Sequence, residues 1–417
     1  MNILYIRFED YPYGTASSFR AFTLSKLIVE AGHKITIIAP NINFKDDEID
    51  DKGLYKNWKN IKTISINECD DSINQILENT LHKEKYDLFM RPTSIKKYNS
   101  IFKTIKKYNL PTVMDAVEWY DYTNWRLGKF DPRYYYFQFL WRFKFNKSNG
   151  IISISRMIET YFKKSLSNVV RIPTITDVKN TCFRTKISNE KIKFIFSGKL
   201  DEGKDNIDSF IKALELVDHN GDLTEFHIYG PNLEEVKKHL GNDSELLDTH
   251  KNHIYVHGRV SQHEAQKSCL NSDFSVFFRL NRRSANAGFP TKLGECMTFG
   301  TPVICNDTGD ISLVVKNRVN GFLLNTKSTE EITDTLKYII NMSLEERIEM
   351  RKRARNSAED FFDYRNYISE IQNVIENALE EAKKETTKPS MIIVKNQIGF
   401  GYPFVCLYFS VKTLFYV

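Results

Sequence analysis

Short apolar runs alternate with longer stretches of helical period along most of this chain. Residues 3–8 form the first run and 34–39 the second. Between them Phe22, Leu24, Leu27, Ile28 and Val29 recur at helical spacing, and Gly32 stops the helix. Strand, Gly-bearing loop, helix, Gly, strand is a βαβ unit, which predicts a parallel sheet with a right-handed crossover. Further strands are predicted at 61–66, 86–90, 111–114, 150–155 and 169–172, with helices around 73–81, 95–108 and 156–166. Pro173 closes this half, and 174–190 reads as a linker. The alternation then restarts, with strands at 193–197, 225–229, 254–257, 274–278, 303–305 and 322–324 and helices at 207–217, 263–270, 329–340 and 344–359. The expected fold is α/β, with two Rossmann-like parallel-sheet domains, 1–175 and 176–360, facing a cleft.

A length of 417 residues is too great for one ordinary core and agrees with two domains. A hydrophobic fraction of 41% and a charged fraction of 27% are those of a soluble globular chain. The net charge of +6 is modest and forms no concentrated basic stripe, so a nucleic-acid partner is not expected. It fits anionic substrates or an anionic membrane surface. The six cysteines are scattered and contain no C-x-x-C pair, which argues against a structural zinc site and for a reducing compartment. The N-terminus lacks a basic start followed by a long apolar core, so no signal peptide is expected. A cytoplasmic location follows, or a peripheral one at the inner face of the membrane.

The stretch from Gly288 to Cys305 carries the most chemistry. Gly288, Phe289 and Pro290 make a turn, Thr291 is the expected N-cap, and Leu293, Met297 and Phe299 give a short helix its apolar face. Gly300 ends that helix, and Val303–Cys305 reads as a buried strand. A helix start of this kind presents free N–H groups and partial positive charge, which suits a phosphate. Lys292 adds a full charge, and Glu295 one turn on can accept from sugar hydroxyls.

Other candidates lie where strands end, because ligands of parallel sheets bind outside the carboxyl ends of the strands. That rule puts Gly14 at the cleft. Asp115, Glu118 and Asp121 follow the strand at 111–114, and Glu118 is the residue expected to orient or deprotonate a hydroxyl. In the second half, Lys199 and Lys204 flank the Gly-bearing loop that begins at Gly198 and would point their ammoniums into the cleft. No Asp-x-Asp pair falls in a cleft position, so neither metal nor other cofactor is expected. Residues 130–147 interleave aromatics with Arg133, Arg142, Lys144 and Lys147. They read either as an interfacial membrane segment or as a buried helix with a basic edge.

Taken in order, these pieces resemble family 4 of the retaining, GT-B-fold glycosyltransferases, well over about 175–360 and more loosely over 1–175. Gly198-Lys199-Leu200 with Lys204 is similar to the family's Gly-Arg-Leu…Lys donor-phosphate motif. Residues 254–260, with Arg259 and Val260, resemble the segment whose backbone holds the nucleotide base. Gly288 to Val303 resembles the Glu-x7-Glu region, with Glu295 as its second Glu and Ala287 where the first would stand. Asp115 or Glu118 occupies about the place of the family's N-domain His. The resemblance implies transfer of a sugar, with retention, from a nucleotide-diphosphate sugar to a glycan or lipid-linked acceptor, in polysaccharide, capsule or cell-envelope glycan synthesis. It also implies that the apolar helix at 361–385 crosses back onto the first domain.

Residues 386–417 are apolar and aromatic but broken by Gly399, Gly401 and Pro403, which suits a membrane-surface tail or an added strand better than a span. Peripheral membrane contact, if made, falls to 130–147 or 391–417. The alternatives to a transferase are a GT-B nucleotide-sugar epimerase and a non-catalytic nucleotide-sugar-binding protein of the same fold.

Overall fold

The structure, a computed structural model, describes residues 1–44, 54–55, 58–66, 72–184, 190–200, 205–325, 328–387, 390–397 and 403–410. The first sheet contains β1 (Asn2–Ile6), β2 (Lys34–Ala39), β3 (Leu54–Tyr55), β4 (Trp58–Ser65), β5 (Leu88–Pro92), β6 (Thr112–Ala116), β7 (Gly150–Ser153) and β8 (Val169–Arg171). Their order is β3-β4-β2-β1-β5-β6-β7-β8, parallel throughout except for β3. Strands such as β5 and β6 are buried at every position, which is what helices on both faces of a parallel sheet require.

The second sheet contains β9 (Ile192–Ser197), β10 (Asp205–Asn206), β11 (Thr224–Tyr229), β12 (Ile254–Gly258), β13 (Phe274–Arg279), β14 (Val303–Asn306) and β15 (Gly321–Leu324). Its order is β12-β11-β9-β13-β14-β15, with β10 antiparallel to β13. The α/β class and the pair of parallel sheets are as the hydrophobic pattern predicts. The pattern misses the two-residue strands β3 and β10, whose side chains are too few to show a period.

Two chain crossings join the halves. Thr176 donates its N–H to the Phe362 carbonyl at 2.8 Å, and Tyr364 returns one to the Thr176 carbonyl at 3.1 Å. Asp363 clamps both, accepting from the Lys179 amide and from Arg365. The helix Ile368–Thr387 then lies on the first sheet, where Ile371, Val374, Ile375 and Ala378 join Ile3, Leu24, Leu27 and Val113 in one core. The segments β16 (Ser390–Gln397) and β17 (Pro403–Ser410) pair antiparallel as a hairpin, so this part of the tail is strand. No helix among the described residues is long and apolar enough to cross a membrane.

Candidate active site

The carboxyl ends of β9, β11 and β12 are bound to one another through glycines. Gly198 donates to the Tyr229 carbonyl at 3.0 Å, and Gly230 to the Gly258 carbonyl at 2.8 Å. Gly230 has φ +111°, and a Cβ there would fall 2.1 Å from the Gly198 carbonyl oxygen, so only glycine fits. This leaves the edge of the sheet as open backbone. Lys199 is exposed just beyond it. Lys204 lies outside the described residues. Arg259 is exposed and Val260 half-buried, both following the end of β12.

The helix Thr291–Thr298 faces that edge. Pro290, not Thr291, takes the N-cap position, with φ −70° and an extended ψ of 115°. Thr291 is therefore the first helical residue, and no side chain caps the first turn. Several other helices of this chain do have such a cap, from Thr15, Asp131, Ser155, Asn232, Ser261, Ser328 and Ser343. The Lys292 ammonium lies over the Phe196 ring, 4.3 Å from its centroid, and 3.0 Å from where a Cβ on Gly198 would sit. So Gly198, Lys292 and the uncapped helix start share one place. Glu295 follows one turn later. Burial pushes its carboxyl up from 4.5 to about 7, and the Lys292 charge opposes that rise. At the far end Gly300, with φ +73°, stops the helix as its position predicts.

Gly288, Phe289 and Pro290 lead into this helix and are buried. Gly288 approaches the first domain, its added Cβ falling 3.8 Å from the Val117 carbonyl oxygen. The Phe289 ring turns the other way and packs on Phe361 and Phe362 at 6.1 and 5.9 Å, so only its backbone is left for a substrate. Ala287 is wholly buried, and its carbonyl accepts from the Ser155 hydroxyl at 2.6 Å. The Asn286 amide is also engaged, donating to Asn281 and accepting from the Gly309 N–H.

Across from these, Glu118 is half-buried beside Val117 and bonds the Tyr120 phenol. Burial raises that phenol well above its ordinary value, and the Glu118 and Glu9 carboxylates add to the effect. Gly14, with φ +118°, lies beside Asp10 and Asn43, in the loop between β1 and the helix Ala16–Glu30. Asp115 departs from expectation. It is fully buried, paired with Arg20 at 2.9 Å, and accepts from the Tyr5 hydroxyl at 3.2 Å. Its oxygens are committed to the interior, where they tie the end of β6 to Arg20 and Tyr5.

Sequence reasoning also missed the groups that join the lobes. Arg283 donates to the Tyr120 carbonyl at 2.8 Å and lies 5.3 Å over the Trp119 ring. Asp310 accepts from the Arg156 amide and guanidinium at 2.8 and 3.1 Å. Asp121, one of the three acids picked out after β6, accepts from the Ser284 hydroxyl at 3.3 Å, a partner its position did not announce. The partners come from opposite halves of the chain, and no local pattern signals them.

Residues 177–359 match the family described as Glycosyl transferases group 1. The group 1 match thus spans most of the second domain, including Gly198, Lys292 and Glu295. Two curated relatives, the mouse and human proteins named GDP-Man:Man(3)GlcNAc(2)-PP-Dol alpha-1,2-mannosyltransferase, are 34% identical over 82 residues. That region is 19% of this chain and covers only 16% of either relative. Solved structures share the whole architecture. Sucrose-phosphate synthase of Thermosynechococcus elongatus superposes with a TM-score of 0.64 at 13% identity, over 92% of this chain and 98% of that one. Anabaena HepE in complex with UDP and glucose gives 0.60 at 15%, over 93% and 100%. S. aureus TarM in complex with Fondaparinux, alpha-GlcNAc-glycerol and UDP gives 0.64 at 14%, over 90% and 99%. The fold is GT-B.

Proposed function

We propose that this chain is a retaining family 4 glycosyltransferase. It moves a sugar from a nucleotide-diphosphate sugar to a glycan or lipid-linked acceptor. The observation that carries this reading is the Lys292 ammonium against Gly198 at an uncapped helix start. As the glycosidic bond breaks, negative charge collects on the departing diphosphate. Lys292, Lys199, Lys204 and the first-turn amides of Thr291–Thr298 stabilise it, with one such contact worth on the order of 3 kcal/mol in the transition state. The cations are the protein's own, so the mechanism runs without a metal. Glu295, once ionised, accepts from donor sugar hydroxyls. Arg259 and Val260 hold the base by their backbone, and Glu118 orients the acceptor hydroxyl. The UDP in HepE and TarM and the GDP-Man in the mouse and human names support a nucleotide-diphosphate donor. The PP-Dol in those names supports a lipid-linked acceptor.

A second reading, binding without turnover, is favoured by one observation: Ala287 stands buried where the family places its first Glu. One experiment separates the two. Nucleoside diphosphates and their sugars are screened by thermal shift, and release of the diphosphate from any stabilising donor is then measured. Release that collapses in Lys292→Met and Glu295→Gln supports transfer. A donor that binds and is never turned over, with any acceptor, supports binding alone.

A further inference from the structure

The helix Pro132–Phe143 has two unlike faces. Phe137, Leu140 and Trp141 point inward, where Trp141 stacks on Trp119 at 5.1 Å and Phe137 meets Trp125 at 6.0 Å. Gln138 ties the helix to the cleft-side loop, accepting from the Trp119 indole and donating to the Tyr120 carbonyl at 2.9 Å. The other face carries Tyr135, Phe139 and Phe143, exposed by 59%, 45% and 57%. Their spacing of four puts them in one row. Phe130, at 89%, and Leu127, at 59%, extend the row through the turn before the helix. Large apolar side chains of this number in one place are a liability in water and mark a contact surface.

Within this segment the exposed charges have a single sign. Between residues 122 and 147 the cations are Arg126, Lys129, Arg133, Arg142, Lys144 and Lys147, and the one acid is Asp131. Asp131 is buried, caps the helix, and is neutralised by Arg133 at 2.7 Å. Lys144 and Lys129 lie 5.8 and 5.0 Å from the rings of Phe139 and Tyr122. Aromatic rings set among cations, with no exposed acid between them, match the boundary between acyl chains and anionic headgroups.

We propose that this face docks on an anionic lipid bilayer. It deepens the transferase reading, because the same helix buttresses the Trp119–Tyr120 loop at the mouth of the cleft. A helix is about 10 Å across. Docking therefore holds the acceptor side of the cleft at headgroup height, within reach of a sugar or phosphate head whose lipid stays in the membrane.

The test is co-sedimentation of the full chain with vesicles of phosphatidylglycerol, compared with phosphatidylcholine alone. Binding is expected to the first and not the second, and to weaken with salt. Phe139→Ser with Phe143→Ser is expected to abolish it, and Phe130→Ser, outside the helix, to weaken it. Arg142→Gln with Lys144→Gln is expected to lower partitioning roughly 30-fold. Each variant should keep the parent's melting point and its thermal shift with the donor. Absence of binding to phosphatidylglycerol overturns the proposal. So does equal binding by the serine variants, or a dimer in solution that those variants dissolve while vesicles are never bound. Vesicle binding is read without turnover, so it survives if the transferase reading fails, and Glu295→Gln should bind vesicles like the parent.

Discussion

The Lys292 ammonium lies 3.0 Å from the point where a side chain on Gly198 would begin. Gly198 itself has φ +145°, a conformation that other residues adopt only under strain. Two elements far apart in sequence thus meet at one cation. Gly198→Ala displaces that cation and strains the loop together. The expected result is a loss of about 1–3 kcal/mol in stability and a larger loss in donor affinity. Chemical denaturation and donor titration of the same preparation check both. Unchanged donor affinity would separate Gly198 from the phosphate site.

Lys292→Met keeps an unbranched apolar stem but removes the charge, and with it the ammonium's contact with the Phe196 ring. If the ammonium faces a departing diphosphate, kcat/KM for the donor falls on the order of 100-fold, corresponding to about 3 kcal/mol. The melting point without ligand should change little. A similar loss is expected for Lys204→Ala and a smaller one for the exposed Lys199→Ala. Steady-state release of the nucleoside diphosphate reads all three.

The Glu295 carboxyl, raised from 4.5 to about 7, gives two linked pH dependences. The folded state favours its protonated form. Between pH 4.5 and 7 the unfolded chain has lost this proton and the folded chain has not, so stability falls as pH rises. Above about 7 the deficit is constant, on the order of 1–3 kcal/mol after solvent screening. Glu295→Gln removes it, and its melting point relative to the parent should therefore be higher at pH 8 than at pH 5. Activity runs the other way. The ionised form accepts from sugar hydroxyls, so kcat/KM should climb through pH 7, and Lys292→Met should shift that climb to higher pH. A flat profile in the parent removes Glu295 from the reaction.

The strands, the glycine stop at Gly300 and the placing of Lys292 were legible in the sequence because each rests on neighbours a few residues away. The cap was misread because Pro290 and Thr291 both suit a helix start, and it is Pro290, with ψ 115°, that stays extended while Thr291 turns helical. Asp115 misled for a different reason. An acid at the end of a strand looks like chemistry, but its partner Arg20 lies 95 residues earlier and enters through another helix. The aromatic helix could not be resolved from its pattern either. Its rings occur all around the axis, so inward and outward faces separate only once Trp119 and Trp125 are packed against one side.

Asp115→Asn tests that corrected role. It leaves the Arg20 guanidinium buried beside a neutral amide, with one amide oxygen and the carbonyls of Ile172 and Pro173 to accept from it but no counter-charge. The expected cost is about 3–5 kcal/mol of stability, because an unpaired buried charge keeps its desolvation penalty. Restoring neutrality with Arg20→Met in the same chain should recover part of it. Donor affinity in whatever fraction folds should match the parent. A loss of turnover without loss of stability would return Asp115 to the substrate.

Arg283 reports on the two lobes together. Its guanidinium belongs to the second domain, yet it bonds the Tyr120 carbonyl and covers the Trp119 ring of the first. Both contacts are half-buried and lie at the boundary between the lobes, so Arg283→Met should leave each lobe folded. The lobes lose a charge-assisted bond and a cation–π contact at the cleft. The expected outcome is a larger radius of gyration by solution scattering and a KM for the acceptor raised roughly tenfold, with kcat changed less. The Trp119 and Tyr120 side chains sit beside Glu118, so a wider cleft moves the acceptor hydroxyl away from its carboxylate while leaving Lys292 and Gly198 in place. Donor binding should therefore be spared. If donor and acceptor affinities fall together, Arg283 acts on the second domain itself and not on its approach to the first.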